Sequence, residues 1–141
     1  MGVTKTVIKE GDKVTYPRPR DTLQMHYVGT FKENGKVFDS SRQAGQPIKF
    51  TAGVGQVIRG WDEGVMQMSL GEKARLDITS DYAYGRAGAQ NVIPPNADLV
   101  FEVELLAVNE KEAPKDMVDQ ALSFLCYAGV GVLALKICGC I

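Results

Sequence analysis

Val57-Ile-Arg-Gly-Trp-Asp-Glu-Gly-Val-Met-Gln-Met68 breaks a chain body that otherwise reads in steps of two. Ile58, Trp61, Val65 and Met68 recur at intervals of three and four, the spacing that gathers side chains on one face of a helix. Gly60 and Gly64 fall on its other positions and each costs about 1 kcal/mol relative to alanine, so packing has to hold this helix. On either side the pattern is strand-like. Leu23, Met25 and Tyr27 alternate with Gln24 and His26, and Ala74, Leu76 and Ile78 alternate with Lys73, Arg75 and Asp77. Leu99–Val108 is longer and rich in branched and aromatic residues, which predicts a central strand. Shorter strands are expected at Val3–Lys9, Val37–Ser40 and Ile48–Thr51, with a turn at Asn34-Gly35 and a loop at Ala44–Pro47. The expected class is α+β, a curved antiparallel sheet wrapped around one short helix.

The 141 residues, 45% hydrophobic and 23% charged, suit one globular core rather than two. Sixteen Lys and Arg against 17 Asp and Glu leave a net charge of -1, and no long basic run appears, which argues against a nucleic-acid partner. The first residues form no apolar run of signal-peptide length, so a cytoplasmic body is expected. Cys126, Cys138 and Cys140 are the only cysteines; the first 125 residues can hold neither a disulfide nor a cysteine zinc site.

A search for reaction chemistry excludes more than it finds. His26 is the only histidine and sits in strand alternation with no identifiable nucleophile beside it, so it reads as structural. Gly53-Val-Gly55-Gln-Val-Ile-Arg-Gly60 imitates a dinucleotide loop, but its third glycine comes two residues late, and a permissive turn is the better reading. Asp39, Asp62, Glu63 and Asp77 are dispersed and read mostly as solvated charges; neither a metal nor a cofactor is expected. Tyr16 and Phe31 read as core. What remains is a set of other aromatics, including Tyr82-Ala-Tyr84-Gly85 ahead of a long loop that ends in Pro94-Pro95.

These residues stand in a pattern. Met25-His-Tyr-Val-Gly29, Gly35-Lys-Val-Phe-Asp-Ser-Ser41, Val57–Gly64, Asp81–Gly85, Ile93-Pro-Pro95 and Leu99–Leu106 together resemble the FKBP-type peptidyl-prolyl cis-trans isomerases, the tacrolimus- and rapamycin-binding immunophilins. The resemblance spans about residues 2 to 108. It implies an apolar pocket lined by Tyr27, Phe38, Asp39, Phe50, Val57, Ile58, Trp61, Tyr84, Ile93 and Phe101. Of these, Tyr27, Phe38, Asp39, Trp61, Tyr84 and Phe101 would act on the substrate, with Trp61 as the floor. The Ile58 N–H and the Tyr84 hydroxyl would donate to carbonyls of the bound group, and Asp39 would accept a ligand hydroxyl. The implied partners are proline-containing peptides and proteins, the two macrolides and, through them, calcineurin and the TOR kinase. A non-catalytic module that captures a macrolide or proline segment is the alternative. This chain departs from the family at the rim: Ile48 stands for a usual phenylalanine, Gln56 for glutamate, Ala44 for arginine, and Ala89-Gln90 where histidine-proline is common.

Residues 109–116, NEKEAPKD, read as a charged linker from the 1–108 domain to a tail at 117–141. Ala121–Ile141 carries only Lys136 as a charge and is apolar on every helical face. As a helix its 21 residues would measure about 31 Å, near the thickness of a bilayer core. The expectation is an apolar C-terminal helix, serving as a membrane anchor that leaves the domain in the cytosol or as a self-association or partner helix, with an atypical terminus as the remaining alternative. Met1–Thr6 has the outline of a myristoylation motif but also reads as the first strand, and the glycine in Cys138-Gly-Cys-Ile141 argues against prenylation.

Overall fold

The computed structural model describes residues 2–89 and 92–113. The chain runs β1 (Val3–Lys9), β2 (Thr22–Phe31), β3 (Val37–Ser40), α1 (Ser41–Ala44), β4 (Ile48–Thr51), α2 (Arg59–Val65), β5 (Lys73–Ile78), β6 (Leu99–Val108) and β7 (Lys111–Glu112). A 3-10 turn at Ser80–Tyr82 precedes the long loop. All seven strands pair antiparallel in one sheet, ordered β1-β5-β6-β2-β3, with β4 also on β2 and β7 on β6. The expected α+β sheet around a helix is thus present, with β6 between β5 and β2 as a central strand.

Alternation decides which face is dry. Leu23, Met25 and Tyr27 of β2, Ala74, Leu76 and Ile78 of β5, and Leu99, Phe101, Val103 and Leu105 of β6 are all buried. Ile58, Trp61, Val65 and Met68 meet that face from the other side and are buried too. The glycines of α2 have a use that helix propensity conceals. A Cβ on Gly60 would lie 2.5 Å from Ile78 Cγ2, and one on Gly64 3.0 Å from Leu76 Cδ1, so both glycines let the helix backbone settle onto β5.

Four expectations need correction. Ser41–Ala44, placed at a strand end and loop, forms a helical turn capped by Ser40, whose side chain accepts from Arg42 N–H at 3.2 Å. Tyr16 is exposed rather than core, while Phe31 is half-buried against the core as expected. Asp39 is 2% exposed, not a solvated charge. The sheet also continues past Val108, since Lys111–Glu112 folds back on β6 and Ala113 is buried within what reads as linker. The expected C-terminal helix lies outside the described residues, among which no helix is long and apolar enough to cross a membrane.

Candidate functional site

Trp61, in the first turn of α2, has no exposed surface, and three rings converge on it. Tyr27 of β2 meets it edge-on, with centroids 4.9 Å apart and planes at 71°. Phe101 of β6 does the same at 5.2 Å and 82°, and Phe50 of β4 lies tilted at 5.8 Å. Phe38 of β3 adds a further edge contact to Phe101 at 5.6 Å and is itself backed by Phe31 at 4.9 Å. Edge-to-face packing of this kind gives about 0.5–1.5 kcal/mol per pair beyond area burial and fixes ring orientation.

Gly29 makes that arrangement possible. It faces Asp39 on β3 and Phe101 on β6. A Cβ there would stand 2.7 Å from both Phe101 Cε1 and Phe38 Cζ. The two rings therefore occupy the volume of the missing side chain, a role that a motif glycine on a strand does not announce.

The polar part of the site is already engaged. The Tyr27 hydroxyl donates to Asp39 Oδ2 at 2.7 Å, and Ser40 N–H donates to Asp39 Oδ1 at 2.9 Å. Burial, then the Asp39 charge, then a smaller contribution from the nearby Tyr84 hydroxyl push the Tyr27 phenol well above its ordinary value, so it stays a proton donor in the hydrogen-bond sense. Asp39 thus accepts from two protein donors before any ligand arrives.

Two loops complete the surroundings. Thr51–Ile58 carries Val57 and Ile58, both buried, to the start of α2. The Ile58 carbonyl accepts Trp61 and Asp62 N–H at 2.9 and 3.1 Å, while its own N–H has no acceptor among the described residues. Asp62 braces this loop, its two oxygens taking Gly53 and Gly55 N–H at 2.9 and 3.0 Å. Both glycines have positive φ, which agrees with the permissive turn expected there. Gln56 Oε1 takes Thr51 N–H at 2.8 Å. The second loop brings Tyr84, half-buried, and Ile93, buried. Ala89 and Ile93 exchange backbone hydrogen bonds at 2.8 and 2.9 Å, and Asn96 N–H closes onto Gly85 O at 2.9 Å. Gly88, at φ +64°, is required because a Cβ would meet Ile93 O at 2.3 Å.

His26 lies on the opposite face of β2, half-buried, with Nδ1 2.9 Å from Ser41 Oγ. Burial and then the Arg42 charge lower its pKa to about 4. A histidine beside a serine suggests a nucleophile, but Ser41 has no exposed surface and its hydroxyl already bonds the Tyr27 backbone. Among the described residues no group of His, Cys, Asp and Glu is placed to hold a metal.

The site is therefore an aromatic nest with one internally satisfied carboxylate, built for an apolar ligand group rather than for proton transfer. The chain matches the model for the FKBP-type peptidyl-prolyl cis-trans isomerases over residues 9–106. It belongs to that family. It is 58% identical over 113 residues to a peptidyl-prolyl cis-trans isomerase of Schizosaccharomyces pombe, covering 80% of this chain and all of the relative. It is also 58% identical to FK506-binding protein 1 of Yarrowia lipolytica, over 77% of this chain and all of that one. With FK506-binding protein 1 of Dictyostelium discoideum the figure is 56%, over 75% of this chain and 97% of the relative.

Proposed function

We propose that the chain catalyses cis-trans isomerisation of X-Pro bonds by taking the prolyl ring into the aromatic nest built on Trp61, and that tacrolimus and rapamycin compete for the same place. The convergence of Tyr27, Phe50 and Phe101 on a fully buried Trp61 carries this reading. The peptide bond resists rotation by about 18–20 kcal/mol because twisting destroys amide resonance. A planar amide has a larger dipole than a twisted one, so transfer from water to a dry aromatic surface favours the twisted form. An acceleration of about a millionfold needs about 8 kcal/mol of such differential stabilisation. One neutral hydrogen bond gives only about 1 kcal/mol net, so Tyr84 and the Ile58 N–H orient the substrate while the aromatic surroundings supply most of the effect.

Asp39 serves drug binding more than turnover, because the reaction moves no proton. Asp39→Val then weakens macrolide binding more than it slows isomerisation, whereas Trp61→Ala harms both. A proline-peptide assay titrated with rapamycin tests the whole reading: turnover abolished stoichiometrically supports it, and drug binding without turnover would leave only a binding module. Drug-dependent capture of calcineurin or the TOR kinase is a further proposal resting on family membership rather than on Ile48, which is buried, or Gln56, which is bonded to Thr51. The catalytic domain includes β7 and the buried Ala113 rather than ending at 108, and on sequence grounds alone 117–141 takes a cytosolic domain to a membrane or to another copy of the chain. Carbonate-resistant pelleting that disappears on truncation at Glu112 is the expected outcome for an anchor.

A further inference from the structure

One edge of β2 is served by two short strands with a gap between them. β4 pairs Thr22 to Met25, and β3 pairs Val28 to Thr30, leaving His26 and Tyr27 without a strand partner on that side. Ser41, the first residue after β3, fills the gap with its side chain. Its Oγ accepts the Tyr27 N–H at 2.7 Å, stands 3.3 Å from Tyr27 O and lies 2.9 Å from His26 Nδ1. With the imidazole proton on Nδ1 all three contacts are made at once: the oxygen accepts from Tyr27 N–H and His26, and the hydroxyl proton goes to Tyr27 O. Two residues earlier, Asp39 holds the hydroxyl of the same tyrosine at 2.7 Å. The segment from Asp39 to Ser41 thus grips Tyr27 at both ends, ring tip and backbone.

We propose that Ser41 is a positioning residue for the isomerase reaction, acting through Tyr27: its hydroxyl replaces the missing strand partner and thereby holds the Tyr27 ring against Trp61 and Asp39. The inference rests on the isomerase reading and adds a residue that touches no substrate. Tyr27 meets Trp61 at a fixed angle, and a tyrosine anchored only through β6 could tilt with respect to α2. Ser41 is fully buried, so it acts only through what it bonds.

The test is a double-mutant cycle on the full chain. Ser41→Ala removes the hydroxyl, and Ser41→Cys keeps the side-chain connectivity with a somewhat larger atom that is a much weaker hydrogen-bonding group, in case the alanine variant fails to fold. Either should lower kcat/KM about fivefold to tenfold, the factor that one net hydrogen bond carries. In a Tyr27→Leu background, where no ring is left to hold against Trp61 or Asp39, the same change should cost less than twofold. The carbon resonance of the Asp39 carboxylate should shift in both Ser41 variants. Full activity in a folded Ser41 variant, or an equal loss in both backgrounds, would overturn the proposal. An inactive parent chain would overturn the isomerase reading instead, and the Asp39 resonance would then decide the grip on Tyr27 by itself.

Discussion

Gly29→Ala is the smallest change that reaches the aromatic site, adding one methyl group. That methyl would sit 2.7 Å from a carbon of Phe101 and a carbon of Phe38, about 0.7 Å inside ordinary contact with each. Phe101 cannot retreat, being fully buried and edge-on to Trp61 at 5.2 Å. Phe38 is half-buried, so it gives way, at the expense of its contacts with Phe101 and Phe31. Overpacking of this kind costs about 1–3 kcal/mol. A midpoint loss of about 2 kcal/mol lowers Tm by roughly 8–16 °C in a domain of this size. Loss of one edge-to-face pair, about 0.5–1.5 kcal/mol, lowers kcat/KM about twofold to tenfold at a temperature where the variant is still folded. Gly35→Ala is the control: it has positive φ but open space around it, so it should lose some stability and no activity. A Gly29→Ala protein that melts and turns over like the parent would refute the claim that this glycine makes room for the two rings.

Gly60→Ala should destabilise despite its better helix propensity, because its methyl meets Ile78 at 2.5 Å, and shortening that partner in Gly60→Ala/Ile78→Ala should bring the pair below the sum of its parts in urea melts. Lowering the pH should weaken the fold through His26: its folded pKa of about 4 lies below the ordinary 6.5, so between these values the unfolded state binds more protons. Stability from this group is complete above pH 6.5, falls as the pH drops towards about 4, and is damped by the half-exposed ring; His26→Gln should flatten that slope in urea midpoints. Arg20 sits at φ +76°, so Arg20→Gly should hold or raise Tm while the β-branched Arg20→Val lowers it by several degrees.

What could be read from the sequence depended on repetition. The strands at Leu23–Tyr27, Ala74–Ile78 and Leu99–Val108 announce themselves because a sheet with one dry face writes alternation into its residues, and α2 because Ile58, Trp61, Val65 and Met68 share one side. The helical turn at Ser41–Ala44 is too short to hold any period. Asp39 reads as solvated because its partner hydroxyl is 12 residues away on another strand, and only pairing of β2 with β3 brings them together. Gly29 and Gly60 matter through volumes that other side chains fill, which no inspection of one strand or helix can reveal. Tyr16 shows the converse: ring size favours burial, but nothing in its neighbourhood encoded which way it would face.

The order of strands in the sheet has a consequence for how the chain acquires its fold. β6 joins both halves, pairing Phe101 with Leu76 on one side and with Gly29 on the other, yet it is the last long strand to be synthesised among the described residues. Until Leu99–Val108 leaves the ribosome, β2 can form only its short pairings with β3 and β4, and β5 only its pairing with edge strand β1. Contacts that span residues 23 and 108 or 3 and 78 impose large loop closures, so collapse should be late, cooperative and slow, in milliseconds to seconds rather than microseconds. A nascent chain stalled before Leu99 would leave the apolar faces of β2 and β5 unjoined, the condition in which a partly made β-protein depends on chaperones.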